Sequence, residues 1–306
     1  MASVGRSALG KILLLACLLC ACLGSGCGLR DRELLRRLEQ LEKEKGWRIL
    51  ASSGDLYLLD VQAKSLITIY KEVHDPQNVH LSPGSFSPDG KSIVFIHGDA
   101  LVVLDLVQRK EEVLLRMPHL EGARWSPAGE GIAFEGGPDS RGLNNLYFIR
   151  LRDRTVSLIV EGGTGSQFSW RPDGKGIVYE DHKRSLWVLD LVTKQRQCLD
   201  NGHYPSWSPD GRYIAYVTER GRIIYDVTTG RKDTIISGEM FWGDLVWSPD
   251  SRYVAYSRPR FLFLAKSSGS LWVMDLNSKT HALLYSQGRG IHPADWVAGV
   301  PASIGN

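Results

Sequence analysis

Cysteine is nearly missing from the body of this chain. Of its five cysteines, Cys17, Cys20, Cys22 and Cys27 crowd near the start, and only Cys198 lies beyond them. A disulfide framework is excluded, and so is a zinc site built from several thiolates. Cys198 is expected to be a small buried hydrophobe on a strand. An excess of one charge is missing too: 37 Lys and Arg against 34 Asp and Glu leave +3, and losing Arg6 and Lys11 with a leader leaves about +1. Nucleic-acid binding shows as a clustered basic face, so no nucleic-acid partner is expected. Beyond Ile12–Leu23 there is no long apolar run, and that one falls short of the roughly 20 residues a spanning helix needs. No Gly-x-Ser-x-Gly elbow, phosphate loop or dinucleotide fingerprint occurs; Gly163-Thr164-Gly165-Ser166 reads as a loop. No cofactor is implied, and the chain carries no catalytic motif.

What is present is repetition. One phrase, aromatic-Ser-Pro-Asp-Gly, recurs as Phe86-Ser87-Pro88-Asp89-Gly90, Trp125-Ser126-Pro127-Ala128-Gly129, Trp170-Arg171-Pro172-Asp173-Gly174, Trp207-Ser208-Pro209-Asp210-Gly211 and Trp247-Ser248-Pro249-Asp250-Ser251. The period of roughly 40 residues marks a stacked or circular array of one unit. After each phrase come β-branched and aromatic runs bounded by Gly, Asp and Pro, such as Ser92–Ile96, Leu101–Asp105 and Val113–Leu115, which is the signature of strands. Four strands per unit predicts propeller blades. Within the phrase, Pro presets a turn, Asp bonds the following backbone and Gly supplies φ > 0. The recurring aspartates are therefore expected to be turn formers rather than a ring of reactive carboxylates.

Trp47–Ala51 and Leu56–Asp60 look like second and third strands lacking a first, and His292–Trp296 looks like a first strand with nothing after it. Together they make one blade. The prediction is an all-β, six-bladed propeller over residues 46–300, closed by its C-terminal strand, with 301–306 as a tail. Closure removes the exposed edges of an open array.

These repeats resemble the TolB-type propeller repeat, which also occurs in the tricorn protease and in non-catalytic domains of prolyl oligopeptidases. TolB carries an additional N-terminal α/β domain, and residues 28–45 are too few for one. Arg6 and Lys11, the apolar run and Gly24-Ser25-Gly26-Cys27 resemble a bacterial lipoprotein signal. The resemblance implies a signal peptide over 1–26 and lipid on Cys27, with Cys22 as the alternative because Leu19-Cys20-Ala21-Cys22 fits the family's box better. Residues 27–45 then comprise the anchor and a helical spacer. Leu34, Leu38 and Leu41 recur at helical spacing for barely two heptads, which favours packing on the propeller over a dimerising coil.

Strand order sorts the connections between two faces. Turns joining first to second and third to fourth strands share a short-turn face. The other connections share a long-loop face, with unusual segments at 71–84, 136–145, 238–244 and 258–266. Function favours varied loops on a rigid scaffold, so Phe241, Trp242, Phe261, Phe263 and Tyr204 are the expected binding residues, suited to an envelope protein as partner. His80, His119, His203 and His292 precede inner strands. Neutral imidazole is a common metal ligand, and some propeller lyases of this repeat type use such a cluster, although histidines on polar loops are ordinarily just solvated. The sequence thus reads as a lipid-anchored extracytoplasmic interaction module of the bacterial envelope; the alternative is a metal-dependent propeller enzyme acting on a small or saccharide substrate.

Overall fold

The computed structural model describes residues 24–71, 81–137, 143–237, 243–262, 265–286, 291–300 and 304, and their side chains except at 24–29, 163–166, 259–262 and 265–268. A helix, α1 (Gly24–Lys45), leads into the first blade, β1 (Arg48–Ser53), β2 (Asp55–Asp60) and β3 (Ser65–Tyr70). The second blade is β4 (Leu81–Phe86), β5 (Ser92–His97), β6 (Ala100–Asp105) and β7 (Lys110–Arg116). The third is β8 (Glu121–Trp125), β9 (Gly131–Gly136), β10 (Asn144–Arg150) and the first part of β11 (Val156–Trp170). The rest of β11 opens the fourth, with β12 (Gly176–Asp181), β13 (Ser185–Asp190) and β14 (Arg196–Asn201). The fifth is β15 (His203–Trp207), β16 (Tyr213–Thr218), β17 (Gly221–Asp226) and β18 (Lys232–Ser237). The sixth is β19 (Leu245–Trp247), β20 (Tyr253–Leu262), β21 (Ala265–Asp275) and β22 (His281–Tyr285). Finally β23 (His292–Val297) pairs antiparallel with β1, giving the sheet order β23-β1-β2-β3. The fold is the expected six-bladed propeller closed by its C-terminal strand.

In the second to sixth blades the repeated phrase makes the first turn, held by local hydrogen bonding. The Ser87 hydroxyl donates to Asp89 Oδ1 at 2.6 Å and accepts the Ser92 N–H at 3.0 Å, while Asp89 Oδ1 accepts the Lys91 N–H at 3.1 Å. Ser208 with Asp210, and Ser248 with Asp250, repeat the pattern. The aspartates are turn formers, as expected. The phrase's last position is left-handed in each case, φ 69° at Gly90 and 60° at Ser251, which is why glycine dominates there.

Closure is dense. Ile49 lies opposite Trp296, whose ring meets Trp47 edge-on at 5.7 Å and stacks on Tyr253 at 6.5 Å. Leu34, Leu38 and Leu41 of α1 are buried in the same cluster, so the leucine stripe is spent on the propeller where blades one and six meet. Gly46, at φ 61°, ends the helix and passes so close to Val300 that a Cβ would sit 3.0 Å from its carbonyl oxygen. Buried Glu42 is paired with Arg48 at 2.9 Å.

Three expectations are corrected. Cys198 is exposed, because β14 is the outermost strand of its blade and only the outer rim lies beyond it. Gly163–Ser166 is not a loop: β11 runs unbroken from the third blade into the fourth, so two blades form one seven-stranded sheet. The segment 258–266 is largely a hairpin, in which β20 and β21 continue past the blade with Arg258 opposite Ser270 and Leu262 opposite Ala265.

Candidate functional site

The inner strands β4, β8, β11, β15, β19 and β23 surround the axis. The residue preceding the phrase's aromatic faces that axis and ties one blade to the next. Ser85 Oγ accepts the Trp125 N–H at 2.8 Å, Ser169 Oγ accepts the Trp207 N–H at 3.0 Å, and Asp295 Oδ2 accepts the Phe86 N–H at 2.8 Å. Read in blade order from the first, this position holds Asp295, Ser85, Arg124, Ser169, Ser206 and Val246. Four are small or apolar; the exceptions are an acid and a base. Arg124 has no hydroxyl to offer the next blade, and there the Trp170 indole N–H reaches the Arg124 carbonyl at 3.4 Å.

A cavity of about 440 Å³ opens along the axis, lined by Ser82, Glu121, Arg124, Gln167 and Asp244, and a smaller one of about 140 Å³ continues it past Tyr204 and Asp295. Arg124 lines the smaller cavity together with both carboxylates. Burial raises the pKa of Asp244, opposed by the charge of Arg124 and by His292. Burial also raises Asp295, opposed by the Phe86 N–H and then by Arg124. One guanidinium thus lies among two carboxyls that hold their protons more tightly than they would in water. Such an arrangement suits the recognition of a polar or charged group entering the channel.

Tyr204 lies at this channel with φ 54°; burial, then the charges of Asp244 and Glu180, raise its phenol pKa. His203 Nδ1 and Glu180 Oε1 are 2.7 Å apart, and burial raises the pKa of Glu180 against the pull of His203. His292 Nδ1 is 3.1 Å from Ser257 Oγ, and burial of part of its ring lowers its pKa. His119 is exposed at φ 55°. Among the described residues no three His, Cys, Asp or Glu side chains gather as a metal-holding group. His80, Phe241, Trp242, Phe263 and Cys22 lie outside the described residues, and of Phe261 and Cys27 only the backbone is described, in β20 and α1.

Arg124, Asp244 and Asp295 escaped the sequence reading, because each looks ordinary within its own repeat. Aligning the six inner strands and reading the position before the aromatic would have exposed Arg124 and Asp295.

Comparison with solved structures places the architecture. TolB from Acinetobacter baumannii superposes with a TM-score of 0.70 at 19% identity, over 82% of this chain and 66% of that one. The fold is that of a TolB-type β-propeller. A chain of a nidogen/laminin complex shares the propeller with a TM-score of 0.62 at 12% identity, over 83% of this chain and 99% of that one. A curated Sulfurisphaera tokodaii protein, described as a tricorn-like protease C-terminal subunit, is 22% identical over 189 residues. The match takes in 55% of this chain but only 21% of that protein, so the TolB-type propeller here corresponds to a part of it. No family model matches the chain.

Proposed function

We propose that this TolB-type propeller is an extracytoplasmic protein, held at a bacterial membrane by lipid on Cys27 or Cys22, which binds a protein partner of the cell envelope across its long-loop face. One observation carries the reading: departures from the repeat gather on that face and at the channel. The β20–β21 hairpin extends beyond its blade there, β11 crosses there between blades, Arg124 and Asp295 break the run of small residues along the channel, and Asp244 lines it beside them. The opposite face is short turns. TolB and the nidogen/laminin complex share the architecture, and the second was solved with a protein partner.

Pull-down from detergent-solubilised envelope tests the partner. Wild type is expected to retain a protein that a Trp242→Ala/Phe261→Ala variant loses; equal recovery by both would remove those aromatics from the interface. Changing both Cys22 and Cys27 to Ser is expected to release the protein from the membrane fraction, and unchanged partitioning would sink the lipid anchor.

An enzyme acting on a small or saccharide substrate is a second reading, favoured by Asp244 and Asp295, whose pKa values burial raises, since a carboxyl that holds its proton more tightly suits a general acid. Turnover abolished by Asp244→Asn with the partner still bound would favour it.

A further inference from the structure

The sixth blade carries a stem that its own strands do not cover. β20 and β21 pair from Tyr253 opposite Asp275 out to Leu262 opposite Ala265, but β19 reaches only Tyr256 and β22 only Leu271. Among the described residues nothing pairs with the two margins of the stem. The phase of the ladder shows what each margin offers. The Leu276 N–H bonds the Arg252 carbonyl at 3.0 Å, and the Ser248 N–H bonds the Tyr253 carbonyl at 2.9 Å. On β20, even-numbered residues therefore bond toward β21 and odd-numbered ones toward β19. On β21 the odd-numbered residues bond toward β22, as the Asp275 N–H does with the Thr280 carbonyl at 2.9 Å. The inner margin thus consists of Ser257 and Pro259. The Ser257 carbonyl already accepts the Arg222 guanidinium at 2.9 Å, and Pro259 has no N–H to give. The outer margin holds Gly269, whose N–H and carbonyl both point away from β20, and whose lack of a side chain lets another backbone come close.

The stem also has charge of one sign. Between Asp250 and Asp295 the sole acid of the sequence is Asp275, at the short-turn end, where it pairs with Arg252 at 2.7 Å. Arg258, Arg260 and Lys266 lie at the other end. The β16–β17 and β1–β2 turns of the adjoining blades bring one acid each: Glu219, with Arg220 beside it, and Asp55, which accepts the Tyr57 hydroxyl at 3.1 Å. Asp244 lies on the axial side, where it lines the channel. By alternation, Arg258 and Arg260 share one face of the stem with Ser270 and Ser268 opposite them, and Pro259 and Phe261 share the other. The Arg258 guanidinium is held over the Trp272 ring, 5.1 Å from its centroid.

We infer that the outer margin of β21 is a docking edge, at which an extended segment of the partner protein, alternating acidic and apolar residues, adds a strand to the sixth blade. Gly269 supplies main-chain hydrogen bonds in line with β22. The arginine face meets the acidic side chains across the small serines, and the Pro259–Phe261 face meets the apolar ones. A second copy of this chain is disfavoured at the same edge, because its own stem would bring like charges together. This inference rests on the proposed protein partner at the long-loop face and deepens it, by stating which edge the partner uses and what its segment carries.

The test uses the full protein and a fluorescent extended peptide that alternates glutamate with valine, against its counterpart with lysine for glutamate. The glutamate peptide should bind at least about ten-fold tighter than the lysine one, with a gap that shrinks in high salt. Its binding should slow hydrogen exchange at the Gly269 amide and leave the Ser257 amide, on the inner margin, unchanged. Gly269→Pro removes an N–H that the blade's own ladder does not use; it should keep its Tm and weaken the glutamate peptide by about five-fold or more. Arg260→Glu leaves that N–H in place and should abolish the preference for glutamate. Equal affinity for the two peptides, or glutamate-peptide binding without protection at Gly269, would overturn the inference. So would protection at Gly269 in the free protein that rises with protein concentration, the mark of a second copy at the edge. The envelope pull-down reads the wider proposal separately. A protein lost by Trp242→Ala/Phe261→Ala but kept by Gly269→Pro removes the edge alone. Recovery of no partner removes the wider proposal, and the peptides still decide the edge.

Discussion

Arg124 sits where the repeat elsewhere places serine, valine or aspartate, and its neighbourhood shows what it does. Among the described residues no hydrogen bond reaches the half-buried Asp244 carboxyl; burial raises its pKa, opposed by the charges of Arg124 and His292. A carboxyl whose folded pKa is raised binds its proton more tightly in the folded state. Its cost to stability is therefore absent below the unfolded pKa and complete above the folded one. Asp244→Asn is expected to melt higher than wild type at neutral pH, by on the order of a few degrees, with the two curves converging as pH falls toward about 4. A constant gap across that range, or a lower Tm, would show that ionised Asp244 is paired better than its surroundings indicate. A gain in Tm accompanied by loss of partner binding would mark Asp244 as a residue kept for recognition at the expense of stability. At this scale the sequence was legible for the turns, because Ser, Asp and Gly act on residues within five positions of themselves. It was opaque for the channel, whose charged members meet only after the ring closes.

The strands and the helix follow from two periods: alternation within each run, and a three-to-four spacing through Leu34, Leu38 and Leu41. Trp47 and Trp296 identified the composite blade because each fragment lacked what the other had. Trp296 is 6% exposed within the cluster that joins α1 to the first and sixth blades. Trp296→Ala should cost about 3–5 kcal/mol, read as a shifted denaturant midpoint, and should increase the amide exchange of β1 more than that of β12. Uniform loosening of all blades would contradict a seam at closure. Two elements were illegible. The glycines at 162, 163 and 165 suggested a break, yet β11 continues because neighbouring strands on both sides hold its backbone in register. The segment 258–266 read as a long connection, yet Pro259 pairs opposite Gly269 in a two-stranded stem, where a missing N–H is tolerated on the edge.

As a whole the molecule is a disc with unlike sides. One side has uniform turns and the helix; the other has an extended hairpin, a strand crossing between blades and the mouth of a channel holding two acids and one base. The repeat made the disc itself legible, since a period of roughly 40 residues leaves few architectures. The contrast between sides was legible only in part: loop lengths showed which side varies, but the outer margin of the hairpin has no signature until strand register is known.

The pairing of β23 with β1 also sets an order of events in time. A ribosome releases the chain from its amino end, so β1 is made before its hydrogen-bonding partner β23, with the strands of five blades synthesised between them. Until then the first blade has a bare inner edge, a template on which another nascent chain can add a strand. A message truncated before codon 292 would yield a product lacking the inner strand of its first blade, prone to clumping.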